Sequence, residues 1–266
     1  MKSHLLALIA GGLGCLLFAE FGADRAAQAG LPRAKSAYVA TDALASPYAT
    51  QAAATDETFV YAVADNEVAK YDRATGKGLA RSTGKAQHLN SGFLWKGKLY
   101  CAHSNYPTKP HQSDLRVLDP KTMQLTIYHA FQDPPGSLTW AVRKGDSWWC
   151  HFAHYGTDNH KSVLVKYDAG WKEIRRWAYP KELVADWGAF SLSGGIWHED
   201  ELLATGHDKK LIYRLNVPKE GNLVELVEVI PAPFPGQGIA SDPKTGGLVG
   251  IDRANKQVVF AKLKSK

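Results

Sequence analysis

A unit of apolar runs separated by tight-turn residues recurs along this chain, and internal repetition at a fixed period constrains a fold more than any single motif. The clearest copy reads SGFLWKGKLYC over residues 91–101, then LRVLDPKT over 115–122 and LTIY over 125–128. Residues 139–150 (TWAVRKGDSWWC) repeat its first part and residues 164–168 its second. A third copy starts at Ser193 (SGGIWHEDELLATG) and continues through 211–215. Weaker copies begin at Gln51 and Gln237 and resume at 68–72 and 257–260. The runs are rich in Val, Leu, Ile, Trp and Tyr, and Lys96-Gly97, Lys144-Gly145, Glu199-Asp200 and Thr245-Gly246 punctuate them, which is hairpin chemistry. Only residues 181–187 suggest a turn or two of helix.

Five units of about 47 residues match the size of a four-stranded propeller blade. The fold expected is therefore all-β: a β-propeller of five four-stranded blades. The last unit ends after its third strand, while a spare strand-like piece, residues 37–41, stands near the start. Pairing the two supplies the missing fourth strand and closes the ring. A parallel β-solenoid is the competing reading, but its repeats are shorter and need no exchange between termini.

Lys2, an apolar run over residues 5–18 and the small residues Ala27 and Ala29 read as a secretory signal over residues 1–29, with residues 30–266 forming one propeller domain. The run is shorter than the roughly 20 residues of a membrane span. Secretion or a periplasmic location follows, with no membrane association after cleavage and a monomer as the expected state. The net charge of +6 is scattered among acids, a mild bias toward acidic ligands or an anionic matrix and no nucleic-acid footprint. Cleavage leaves Cys101 and Cys150 at equivalent places in adjacent units. Packed sheets lie about 10 Å apart and a disulfide needs Cα atoms within about 7 Å, so two buried thiols are expected.

Aligning the units on their first hairpins puts Gln51, Ser91, Thr139, Ser193 and Gln237 at one position of the innermost strand, where strands converge on the axis. Two readings stand for this ring: polar lining for channel water, or contacts to a ligand. A second group gathers near it. His88 and Asn90 precede the first strand of their unit, and His103, His151, His154 and His207 fall near the ends of second strands, with Asp65, Asn105, Asp208 and Asp252 as neighbours. Imidazoles and carboxylates at one mouth suit metal binding or acid–base steps, and equally suit exposed or internally bonded histidines. The spacing identifies neither a metal nor a cofactor. Of the eight tryptophans most fit blade packing, and Trp187, between units, is the candidate for an exposed sugar platform.

Residues 70–77 (KYDRATGK) and 117–122 (VLDPKT) resemble repeats of bacterial propellers of the quinoprotein-dehydrogenase-like and NHL-like group. The blocks 88–92 through Pro107, 136–142 and 191–195 resemble exported bacterial proteins labelled hypothetical or cycloisomerase-like. The resemblance implies the propeller fold and, as an alternative function, lactonase- or cycloisomerase-like chemistry by rim histidines. Fold alone does not establish activity. The first expectation is a propeller that binds a small polar molecule or a protein partner at its axial mouth.

Overall fold

The computed structural model describes residues 30–265, so the segment read as a secretory signal, residues 1–29, lies outside the described residues. Twenty strands form five four-stranded antiparallel sheets arranged as a five-bladed β-propeller. Blade 1 holds β2 (Ala52–Thr55), β3 (Phe59–Val63), β4 (Val68–Asp72) and β5 (Gly78–Arg81). Blade 2 holds β6 (Leu89–Trp95), β7 (Lys98–Ser104), β8 (Ser113–Asp119) and β9 (Gln124–Phe131). Blade 3 holds β10 (Ser137–Lys144), β11 (Ser147–Ala153), β12 (Val163–Tyr167) and β13 (Glu173–Trp177), and blade 4 holds β14 (Gly194–His198), β15 (Glu201–Thr205), β16 (Leu211–Asn216) and β17 (Glu225–Pro231). Blade 5 combines β18 (Ala240–Asp242), β19 (Gly247–Asp252) and β20 (Gln257–Ser265) with β1 (Ser36–Ala45) from the other end of the chain.

That closure is the one expected from the truncated last repeat. β1 pairs antiparallel with β20 from Ser36 opposite Ser265 to Ala45 opposite Gln257, with one irregularity near Thr41. Just before it, Ala34 and Val229 extend the outer edge of blade 4, the Ala34 N–H donating to the Val229 carbonyl at 3.0 Å. The first stretch of the described chain, through Ala45, thus touches two blades.

Local chemistry explains the blades. Lys96 and Gly97 both have positive φ, 48° and 72°, as the tight turn between β6 and β7 requires; glycine adopts that geometry without strain. At the β4–β5 turn the Asp72 carboxylate accepts from the Thr75 amide at 2.8 Å and hydroxyl at 2.7 Å. These bonds, the Thr75 hydroxyl's first, hold its carboxyl below the usual range. The cores lie between neighbouring blades: Trp140, Trp149, Trp177 and Trp187 pack with blade 4, and Trp148 and Phe152 pack with blade 2. Among the described residues, helical structure is confined to a 3-10 turn (Gly156–Lys161) and α1 (Lys181–Asp186). No helix among the described residues is long and apolar enough to cross a membrane. Cys101 and Cys150 are free and buried, and burial pushes the Cys101 thiol up to about 12.

Trp187 is not the exposed platform its place between repeats suggests. It is 7% exposed and its ring packs 5.1 Å from that of Tyr179, because α1 folds the connection back onto blade 3.

Candidate functional site at the axial mouth

Strand register identifies the polar ring. The closing pairs of the first hairpins are Trp95 with Lys98, Lys144 with Ser147 and His198 with Glu201. Asp56 closes the corresponding turn of blade 1, and Asp242 opposite Gly247 that of blade 5. Counting back five residues from each gives Gln51, Asn90, Thr139, Ser193 and Gln237. Four are the residues that hairpin alignment selects. In blade 2 the position belongs to Asn90, and Ser91 stands one step further in. The cause lies in the turns: Lys96-Gly97 is itself the two-residue loop of blade 2, whereas Lys144 is still paired with Ser147 in blade 3, so aligning the two Lys-Gly pairs slips the register by one.

The step occupied by Ser91 is the packed throat of the ring. A Cβ on Gly238 would stand 2.5 Å from the Ala52 Cβ and 2.8 Å from the Ser91 Cα, and one on Gly194 would meet the Gly238 Cα at 2.8 Å. The Ser91 hydroxyl is buried there without a partner. Thr139 is likewise turned away from the mouth: its hydroxyl donates to the Leu192 carbonyl at 2.7 Å.

The mouth itself is a cavity of about 210 Å³ lined by Gln51, His88, Asn90, Tyr106, Tyr155, Phe190, Ser193, His207, Gln237 and Arg253. Its three amides are oriented by their partners. The Gln51 Nε2 donates to the Asp65 carboxylate at 2.6 Å, the Gln237 Nε2 to the His207 carbonyl at 3.0 Å, and the Asn90 Nδ2 to the Leu138 carbonyl at 3.4 Å. Carboxylates and carbonyls only accept, so each amide spends its nitrogen on the wall. The three oxygens have no donor among the described residues and are not among its sealed, unpartnered atoms.

The two lining histidines are held in the same manner. Nδ1 of His88 lies 3.0 Å from Asp65 Oδ1, and Nδ1 of His207 lies 2.7 Å from Asp208 Oδ1. In the neutral imidazole a carboxylate at Nδ1 favours the tautomer with the proton there, which leaves Nε2 as the lone-pair acceptor. His207 also stacks on Phe190 at 3.8 Å, and His88 leans on Tyr106 at 5.3 Å. The His88 contact, with help from Gln51, holds the Asp65 carboxyl below its ordinary value. Arg253 completes the wall. Burial makes its guanidinium easier to deprotonate than usual, while Asp208 and Asp65 work in the opposite direction. Neither carboxylate is within ion-pair distance of it among the described residues. Burial pushes the Tyr155 phenol up, reinforced by neighbouring Tyr106.

Six sequence candidates line this cavity: Gln51, His88, Asn90, Ser193, His207 and Gln237. His103 does not, because Asp114 engages its Nδ1 at 2.9 Å and the Gln87 amide donates to its Nε2 at 3.0 Å. His154 donates from Nε2 to the Pro135 carbonyl at 2.6 Å, its ring edge-on to His111. Buried His151 is spent between Tyr179 at 2.7 Å and Ser191 at 3.0 Å. Asn105 braces its own loop, accepting from the Gln112 amide and donating to the Pro110 carbonyl, both at 2.9 Å, and Asp252 caps the turn at Asn255. Sequence reasoning missed Tyr106, Tyr155, Phe190 and Arg253. Arg253 was within reach: it follows β19 directly, the place just beyond a second strand where blade 4 carries His207. Among the described residues no group of three or more His, Cys, Asp or Glu side chains is arranged to hold a metal.

No family model matches the chain, and no curated protein matches it by sequence. The solved structures similar to it include a Myxococcus xanthus glutaminyl cyclase, at 10% identity and a TM-score of 0.59, covering 89% of this chain and 99% of that one. The WD40 propeller domain of Doa1 matches at 8% identity and a TM-score of 0.45, over 85% and 97% of the two chains. At these identities the likeness to the cyclase is one of fold: a bacterial protein with this β-propeller architecture.

Proposed function

We propose that the axial mouth binds a small polar ligand that combines an anionic group with several N–H or O–H donors. The observation that carries this reading is the division of labour in the wall. Arg253 offers a half-buried cation whose guanidinium has no hydrogen-bond partner among the described residues, while three amide oxygens and two imidazole Nε2 atoms offer acceptors. An unsatisfied polar group in a partly desolvated site costs free energy that a complementary ligand recovers. Tyr106 and Phe190 supply apolar wall, the usual mixture of a small-molecule site. The size of the cavity favours a small molecule over a protein segment. The leader-like residues 1–29 support an exported setting for this activity.

The test is a thermal-shift and calorimetric screen of three compound classes: amino acids, hydroxy acids and neutral polyols. Binding by compounds bearing both an anion and donors, weakened at least tenfold by Arg253→Gln, supports the reading. Binding indifferent to Arg253→Gln, or no binding in any class, overturns it.

A second reading is favoured by one observation: His88 and His207 each have Nδ1 anchored by a carboxylate and Nε2 unpartnered, the arrangement of a positioned base. On this reading the mouth performs hydrolysis or isomerisation of the lactonase or cycloisomerase type. The likeness to a glutaminyl cyclase is compatible with an enzyme on this architecture. Turnover of a lactone panel that is abolished by His207→Gln while ligand binding survives would support it.

A further inference from the structure

A second concave surface lies between blades 3 and 4 and shares no residue with the axial mouth. It is a groove of about 490 Å³ whose floor is Trp149, Trp177 and Trp197 and whose rim carries Lys166, Arg175 and Lys219, with Lys144 at one end. No carboxylate lines it.

The charge arrangement runs against the ordinary rules of a sheet. Trp149 on β11 faces Lys166 on β12, and Lys166 faces Arg175 on β13. Like charges directly opposite on adjacent strands destabilise a sheet, whereas opposite charges stabilise it. Among the described residues Lys166 and Lys219 have no carboxylate within ion-pair distance, and Lys144 pairs only with Asp200, at 3.0 Å. Arg175 is tied to the carbonyls of Lys219 and Gly221, which fixes its guanidinium at the rim. The cations rest on the indoles: Lys144 lies 4.1 Å over Trp197, Lys166 5.2 Å over Trp149 and Arg175 5.3 Å over Trp177. Each such contact is weak where exposed, and a lysine stem is flexible enough to swing its ammonium to a nearby anion. That motion uncovers indole surface. The groove falls within the roughly 300–1,000 Å³ of small-molecule sites, and it is too short for the extended basic stripe that tracks a nucleic-acid backbone.

We infer that this groove is a binding site for a short anionic oligosaccharide, with uronate or sulfate groups meeting Lys166, Arg175 and Lys219 and a sugar-ring face resting on the exposed part of Trp197, which the buried Trp149 and Trp177 back. The repulsion built into the Lys166–Arg175 pair is the cost of keeping the site cationic when empty, and a bound anion relieves it.

Calorimetric titration of the folded chain with trigalacturonate, a sulfated trisaccharide, neutral maltotriose and a polyglutamate peptide tests the inference. Expected is binding of one or both acidic sugars that weakens as salt is raised, with maltotriose and polyglutamate at least tenfold weaker. Lys166→Glu places a carboxylate opposite Arg175, so this variant should melt slightly higher than the parent yet lose at least tenfold in acidic-sugar affinity. Trp197→Ala should lose affinity with the charge dependence unchanged. Failure of both acidic sugars to bind, equal binding of polyglutamate or maltotriose, or an unaltered affinity in Lys166→Glu overturns the inference.

Discussion

At the scale of single residues, hydrogen-bond capacity decides which polar side chains are available and which are spent. His151 illustrates the spent kind. Both ring nitrogens are engaged, the ring stacks over Trp140 at 5.6 Å, and full burial lowers its pKa to about 3, with His154 adding to the effect. The unfolded imidazole titrates near 6.5. Between these values the unfolded chain binds a proton that the folded chain refuses, so stability rises with pH through that window. His151 therefore contributes fully above about pH 6.5, and its contribution is lost as acid is added toward pH 3. The limiting slope is about 1.4 kcal/mol per pH unit. Urea unfolding between pH 7.5 and 5 should show this decline in the parent. His151→Phe should be about 1–3 kcal/mol less stable at pH 7.5, because Tyr179 and Ser191 lose their partner, and its stability should be flatter with pH. An equally steep profile in the variant would assign the acid sensitivity elsewhere.

At the scale of elements, close approach of innermost strands sets what each position tolerates. Gly195 lies against the Trp140 indole, where a Cβ would meet ring atoms at 2.5 Å. Gly238 lies against backbone and Cβ atoms of blades 1 and 2. Neither neighbour is the flexible end of a side chain, so Gly195→Ala and Gly238→Ala should each cost about 1–3 kcal/mol through overpacking, read as a lower urea midpoint. Gly97→Ala, at a turn with open space around it, should cost less and only through its positive φ. Hairpin tips are local, so counting from them recovered four of the five ring positions. In blade 2 the Lys-Gly pair is the loop, while in blade 3 its Lys is the last paired residue, and only strand pairing tells the two apart, so Ser91 stood in for Asn90. Which histidines remain free was equally hidden: Asp114 and Pro135 lie 11 and 19 residues from the histidines they occupy, and only the fold sets those distances.

At the scale of the molecule, closure is secured twice, within blade 5 and at its seam with blade 1. β1 covers the edge of β20, and Arg73 reaches Asp242 through two bonds of 2.6 and 2.7 Å. Burial alone pushes the Asp242 carboxyl up, but Arg73 and Thr245 together hold it below its ordinary value. Arg73→Met or Asp242→Leu alone leaves a buried charge uncompensated and should cost about 3–5 kcal/mol. The double variant should recover much of that loss, which a double-mutant cycle in urea measures. Removing residues 30–45 exposes β20 as a long open edge, a template for pairing with other chains. The shortened protein should elute as oligomers or aggregate on size exclusion, and a monodisperse monomer with the parent melting temperature would show that β1 is dispensable. Repeat period, turn residues and the truncated last unit were sufficient to determine five blades and their closure, because strand alternation and hairpin chemistry are written over a few neighbouring residues. Tertiary structure alone decided that Tyr106, Tyr155 and Phe190 join the mouth and that Trp187 is buried. Each of those facts is a meeting of side chains whose positions the ring, and no local rule, brings together.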